Sequence, residues 1–384
     1  MKRSPWMDDE LAMLADEAAK FVARELVPHA ERWESERVVD RDAWRRAGTA
    51  GLLCASIPAE YGGGGGTLAH EAVIAQEVVR AGLWGGFGTG NNVSSGIVAH
   101  YILAYGTEAQ RHRWLPRMAT GELIGAVAMT EPGTGSDLQA VRTTARRSDD
   151  GYVINGQKTF ISNGQNAGVV VVVAKTDTAA AGAKGISLLI VETGEAEGFR
   201  RGRNLHKVGM HAQDTSELFF DEVFVPHDNL LGGEEGRGFY QLMEQLAWER
   251  TSVALNCVVE MEEAVRVTTD YVRQRSAFGK PIAEFQNTQF KLAECKTQAV
   301  VARVFIDEMM VRLLAGELDA ATAAMAKYWT SEALGRVTDE CLQLHGGYGY
   351  MAEYPIARMW TNARVARIYA GTNEIMKTLI ARAL

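Results

Sequence analysis

The feature that most narrows the fold is a double change of hydrophobic period along the chain. In the first third Leu11, Leu14, Ala18, Phe21, Val22 and Leu26 repeat at helical spacing, and Pro28 ends the run. A helical stretch Thr67–Ala81 follows five glycines, Gly62–Gly66, which no helix tolerates. The middle third loses that period. YVINGQKTFISN, GVVVVVAKT, GISLLIVE, LHKVGM and SELFFDEVFVP are β-rich and bounded by Gly, Asn and Asp. From about Gly236 the helical period returns in four long segments, Phe239–Arg275, Phe285–Ala315, Ala320–His345 and Ile356–Ala383. The expectation is an α+β chain: an N-terminal helical domain over 1–122, a middle β-barrel or sandwich over 123–233, and a C-terminal four-helix bundle over 234–384.

Composition removes several function classes. There are 40 Lys+Arg against 48 Asp+Glu, a net charge of −8, which argues against nucleic acid as a partner. Cys54, Cys257, Cys295 and Cys341 form no CxxC pair, so neither a structural zinc site nor a redox dithiol is expected. His206 and His211 have no metal-ligand companions, and no metal is expected. The start, MKRSPWMDDELAML, resembles neither a signal nor a transit peptide, and the longest apolar run, Val169–Ala174, is far short of a membrane span. These features point to a cytoplasmic protein. EPGTGSDL carries Leu138 where a dinucleotide fingerprint needs its third glycine, and no Walker A, HExxH or GxSxG is present.

Glycine is nonetheless abundant, 39 residues, and its placement is informative. Met129–Asp137 (MTEPGTGSD) mixes turn glycines with hydroxyls, a pattern suited either to a tight connection or to an anion cradle. Gln343–Tyr350 (QLHGGYGY) has more glycines than a helix C-cap needs. Ile368–Ile375 (IYAGTNEI) sits between helices and carries small residues beside hydroxyls. A fourth signal is a single side chain. Leu242, Leu246, Glu249, Val253 and Cys257 share one helix face, so a carboxylate lies on an apolar stripe. Burial would raise its pKa and suit it to general-base work; a salt bridge to Arg250 or Arg266 is the plainer alternative.

Taken together, MTEPGTGSD, KTFISNG, LHKVGM, QRSAFGKPI, QLHGGYGY with EYPIAR, and IYAGTNEI resemble the acyl-CoA dehydrogenase family, in its order and nearly end to end. The flavour is closest to the long-chain and isovaleryl types. The resemblance implies FAD between the middle and C-terminal domains, an acyl-CoA substrate, electron-transfer flavoprotein as acceptor, and a homotetramer built as a dimer of dimers. Many relatives place the catalytic glutamate inside IYEGT; here that position is Ala370. A subset supplies it from the first bundle helix before an arginine, which in this chain is Glu249-Arg250 within LAWERTS. Glu249 is then the base and the β-hydrogen leaves as hydride to flavin N5.

The resemblance also assigns contacts. Met129, Thr130, Ser136, Phe160 and Ser162 should meet the flavin, with Phe160 standing where a tryptophan is common. Arg275, Phe278, Gln286, Gln343, Gly346 and Gly347 should reach the FAD of a second subunit, and Thr372, Asn373 and Glu374 should also touch FAD. Ser136, Ala183, Lys184, Tyr240, Arg250, Ala370 and Gly371 should line the acyl-CoA path. GLWGGFGTGNNVSSG falls where the family lines the far end of the acyl pocket, or is simply a flexible loop. Two rival functions share the fold: an acyl-carrier-protein-linked dehydrogenase and a flavin monooxygenase or oxidase.

Overall fold

The computed structural model describes residues 3–384. The N-terminal helices are α1 (Asp9–Phe21), α2 (Ala30–Glu36), α3 (Arg41–Thr49), α4 (Leu68–Arg80), α5 (Thr89–Val93), α6 (Ala99–Tyr105) and α7 (Glu108–Ala119). Their starts are written in the sequence. Asp8 and Asp40 accept the N–H of the third residue on, and Thr67 and Thr107 form reciprocal capping boxes. Each such cap is worth ~1 kcal/mol to its helix.

The middle strands are β1 (Gly125–Ala128), β2 (Thr144–Arg147), β3 (Gly151–Ser162), β4 (Val169–Lys175), β5 (Ile186–Glu192), β6 (Phe199–Asn204) and β7 (Thr215–Pro226). They form one sheet in the order β1-β4-β2-β3-β7-β6, with β5 paired to β4. β4 is buried along nearly its whole length, as the unbroken VVVVVA run requires: its odd valines pack toward the N-terminal helices and its even ones into the sheet's own core. LHKVGM is not a strand; Leu205–Met210 is an irregular link between β6 and β7.

The last third holds α8 (Gly238–Gln274), α9 (Gln286–Leu314), α10 (Ala320–Leu344), α11 (Pro355–Ala363) and α12 (Asn373–Arg382). The fourth expected helix is thus two, separated by a short 3₁₀ turn and the Ile368–Thr372 segment. The break has a backbone cause: Ala370 and Gly371 both take positive φ, 53° and 87°, which a continuing helix cannot hold.

Of the two readings of Trp84–Val98, the flexible loop falls away: the segment runs as helical turns, kinked at Gly86, into α6, and Trp84–Gly88 is wholly buried. Tertiary packing overrides the poor helix propensity of its glycines. Gly90 shows why glycine is there: a Cβ would lie 2.9 Å from Asn163 Oδ1 and from the Trp44 ring.

Candidate active site

Glu249 lies one-third of the way along α8. It is 6% exposed, and its Oε1 accepts a 2.5 Å hydrogen bond from the Tyr101 hydroxyl on α6. The neighbouring Trp248 indole donates to Gly96 O at 2.8 Å, so two successive residues of α8 are fastened to the N-terminal helices. Burial pushes the Glu249 carboxyl up to about 7, against the opposing pull of the Tyr101 hydroxyl and the Arg250 charge. No ion pair forms with Arg250 or Arg266. Arg266 instead pairs with Glu263 and Asp270 on its own helix. Among the described residues, the buried Arg250 Nε has no hydrogen-bond partner.

The turn Tyr369–Thr372 packs beside the same bundle core. Lys327, fully buried on α10, donates to Gly371 O at 2.7 Å and to Asn373 Oδ1 at 3.0 Å. Burial above all lowers its ammonium to about 8, with Arg250 adding to the effect. The pinned Gly371 carbonyl fixes the Gly371–Thr372 peptide, just past Ala370. Among the described residues, no backbone carbonyl accepts the Ala370 N–H. Asn373 is turned inward, its amide donating to Ser331 and Glu332, so its side chain serves the bundle and any cofactor contact there falls to its backbone. Thr372 caps α12, and Glu374 is exposed in its first turn.

The middle domain presents a third group. The register of β3 against β7 breaks between Lys158 and Ile161. The bulge places Phe160 at φ 59° and leaves it 68% exposed, with Ser162 beyond it. Bulges re-aim side chains in this way beside functional sites. Met129 and Thr130 lie alongside, because Thr159 N donates to Thr130 O at 2.9 Å. The loop that follows is held by a buried carboxylate. Glu131 accepts from Arg142 N, Thr143 N, Thr143 Oγ1 and Lys158 Nζ, the last at 2.8 Å. Ser136 is exposed at the loop's tip.

Ala183 and Lys184 occupy a 3₁₀ turn, Gly182–Gly185, that lies over the start of α8. A Cβ on Gly236 would sit 2.4 Å from Lys184 O, so glycine is required for that approach. Arg237 stacks its guanidinium 5.8 Å from the Tyr240 ring. Lys184, Arg237 and Tyr240 therefore make a cationic and aromatic mouth, although the chain as a whole is acidic.

The expected second-subunit contacts cluster elsewhere. Arg275 lies 5.6 Å from the Tyr348 ring and Phe278 packs edge-on to Phe285, with Gln286 next along the chain. Gln343, Gly346 and Gly347 close the end of α10 beside them. Arg275 follows Glu249 by 26 residues of α8, about 39 Å at a helical rise of 1.5 Å per residue.

Sequence reasoning passed over Tyr101, Lys158, Lys327 and Arg237. Only Lys327 left a signal, a single lysine within the alanine-rich TAAMAKYW.

The three-part fold is that of a flavin-dependent oxidoreductase, and the buried carboxylate and exposed aromatic bulge lie within it. Family models for the acyl-CoA dehydrogenase N-terminal, middle and C-terminal domains match residues 8–122, 126–223 and 236–384. The chain is 49% identical over 364 residues to the mouse mitochondrial long-chain specific acyl-CoA dehydrogenase, covering 94% of this chain and 84% of that one. The crystal structure of an acyl-CoA dehydrogenase from Geobacillus kaustophilus superposes with a TM-score of 0.95 at 47% identity, covering 99% of both chains. That of a glutaryl-CoA dehydrogenase from Mycobacterium smegmatis in complex with FADH2 superposes with a TM-score of 0.90 at 27% identity, covering 98% of this chain and 95% of that one. The chain belongs to the acyl-CoA dehydrogenase family.

Proposed function

We propose that this protein oxidises the Cα–Cβ bond of medium-chain, long-chain or branched acyl-CoA thioesters to the trans-2-enoyl-CoA, with FAD as cofactor and Glu249 as base. The observation that carries the reading is a carboxylate 6% exposed, poised near 7 and facing the N-terminal helices, on the helix that also starts at the cationic mouth.

The residues fit FAD. Exposed Phe160 and half-buried Ser162 offer a ring contact and a hydroxyl on the middle domain, and the Met129–Thr130 backbone lies against them. When bound, FAD supplies the hydride acceptor and a ribityl hydroxyl donor. The Ala370 N–H supplies the second donor to the thioester carbonyl, and Lys327 steadies the turn just beyond it through Gly371 O. Glu249 removes the α-proton as the β-hydrogen departs. Lys184, Arg237 and Tyr240 receive the CoA portion. Arg275 lies at the far end of α8 from Glu249, and Phe278, Gln286, Gln343 and Gly347 gather near it rather than at the Glu249 site, which supports a cofactor completed by a second subunit within a homotetramer. Electron-transfer flavoprotein is the proposed acceptor.

An anaerobic flavin-reduction screen tests the substrate assignment, using saturated thioesters from butyryl to long and branched chains. Bleaching by acyl-CoA supports the reading; bleaching only by acyl-carrier-protein thioesters, or by none, overturns it. A second expectation concerns pH. The base works as a carboxylate, so kcat/KM should rise as pH passes through about 7. The Tyr101 hydroxyl stabilises that carboxylate, so Tyr101→Phe should move the inflection to higher pH. An unmoved or more acidic inflection in the pH–rate profile would contradict the assignment.

A further inference from the structure

Glu249 is not the only hydrogen-bonding side chain on its stripe of α8. Seven and eleven residues on, the helix returns to within about 20° of the same face, and those positions hold Asn256 and Glu260. Asn256 is 1% exposed and Glu260 8%. Among the described residues, neither amide atom of Asn256 has a hydrogen-bond partner. Among the described residues, Glu260 makes no hydrogen bond and no ion pair, and burial raises the pKa of its carboxyl. Apolar side chains flank them: Val253 shares the stripe, and Val259 packs with Trp84 in the glycine-rich helical segment. The Tyr369 phenol lies within electrostatic reach of Glu260 and directly precedes the Ala370 peptide, which ties this stretch to the site.

Two polar groups buried without partners, in line with the base, are costly to keep unless something meets them. A plain hydrocarbon chain meets neither. A hydroxyl meets both, because it accepts from the Asn256 amide and donates to the Glu260 carboxyl. We propose that the stripe running inward from Glu249 selects acyl thioesters bearing a hydroxyl on the chain, held by Asn256 and Glu260 about 10–16 Å beyond the α-carbon. At about 1.2 Å per bond of extended chain, that is about 8 to 13 carbons past it. The inference rests on the reading of Glu249 as base and narrows its substrate class.

The test uses the flavin-loaded enzyme with hexadecanoyl-CoA and matched derivatives carrying the hydroxyl at about C10, C12 or C14. At least one hydroxylated thioester should show a kcat/KM about tenfold or more above the unsubstituted chain, since a site built to bond a hydroxyl discriminates against its absence. Asn256→Leu, which keeps the branching and the number of heavy atoms, should invert that ratio and raise turnover of the plain chain. Glu260→Gln should retain the preference, because it still offers a donor and an acceptor. If Asn256→Leu does not fold, Asn256→Ala carries the same expectation of a lost preference. Equal or better turnover of hexadecanoyl-CoA by the wild type, or a preference that survives both Asn256→Leu and Glu260→Leu, overturns the inference alone. Failure of every thioester to reduce the flavin overturns the dehydrogenase reading and this inference with it.

Discussion

Replacing Glu249 by glutamine is expected to slow flavin reduction by acyl-CoA about 10⁴-fold while leaving the flavin bound. The substitution keeps size and hydrogen-bonding capacity, so the Tyr101 hydroxyl still finds an acceptor and α8 stays seated. What disappears is a group able to take a proton. A positioned general base contributes roughly 10²–10⁴-fold, and with Ala370 at the alternative position no second carboxylate stands in on that turn. The reductive half-reaction should therefore slow to the upper end of that range in stopped-flow absorbance, with unchanged flavin content. A variant that keeps wild-type bleaching would remove Glu249 from the chemistry.

The second large effect is structural. Lys158→Met should destabilise the protein by ~3–5 kcal/mol, because it strips one partner from a buried ion pair. Lys158 is 1% exposed, and its ammonium bridges the Glu131 carboxylate and Met129 O. Without it Glu131 keeps its Thr143 and Arg142 donors but holds an uncompensated charge. The Met129–Ser136 loop is moored by this pair, so flavin affinity should fall together with stability. Denaturant titration and flavin retention on gel filtration check both. The double variant Lys158→Met with Glu131→Leu should recover much of the lost stability, since replacing both charges removes the desolvation penalty. Stability within ~1 kcal/mol of wild type for the single variant would show that the pair does not anchor the loop.

The order of helices, strands and helices was legible because period is a local property, and the thirds of this chain differ sharply in it. The candidacy of Glu249 was legible for the same reason: a carboxylate on an apolar stripe is visible within two turns. Its partner was not. Tyr101 lies 148 residues earlier and sits on an ordinary apolar helix face, so only the packed structure reveals the contact. The helical course of Trp84–Val98 was hidden because glycine propensity argues against it and burial decides otherwise. The exposure of Phe160 depends on a register break in β3, which depends in turn on where β7 lies. Lys327 was hard to read because a buried lysine is rare without a partner, and its acceptors belong to a turn more than 40 residues away.

The bond between Tyr101 and Glu249 joins two domains across the base itself. Any parting of α6 from α8 would admit water and return the carboxyl toward its ordinary acidity. The titration of one side chain is thus a gauge of how tightly the N-terminal helices close on the bundle. A ligand that wedges them open would register as an acid shift in that titration, even where it contacts neither residue.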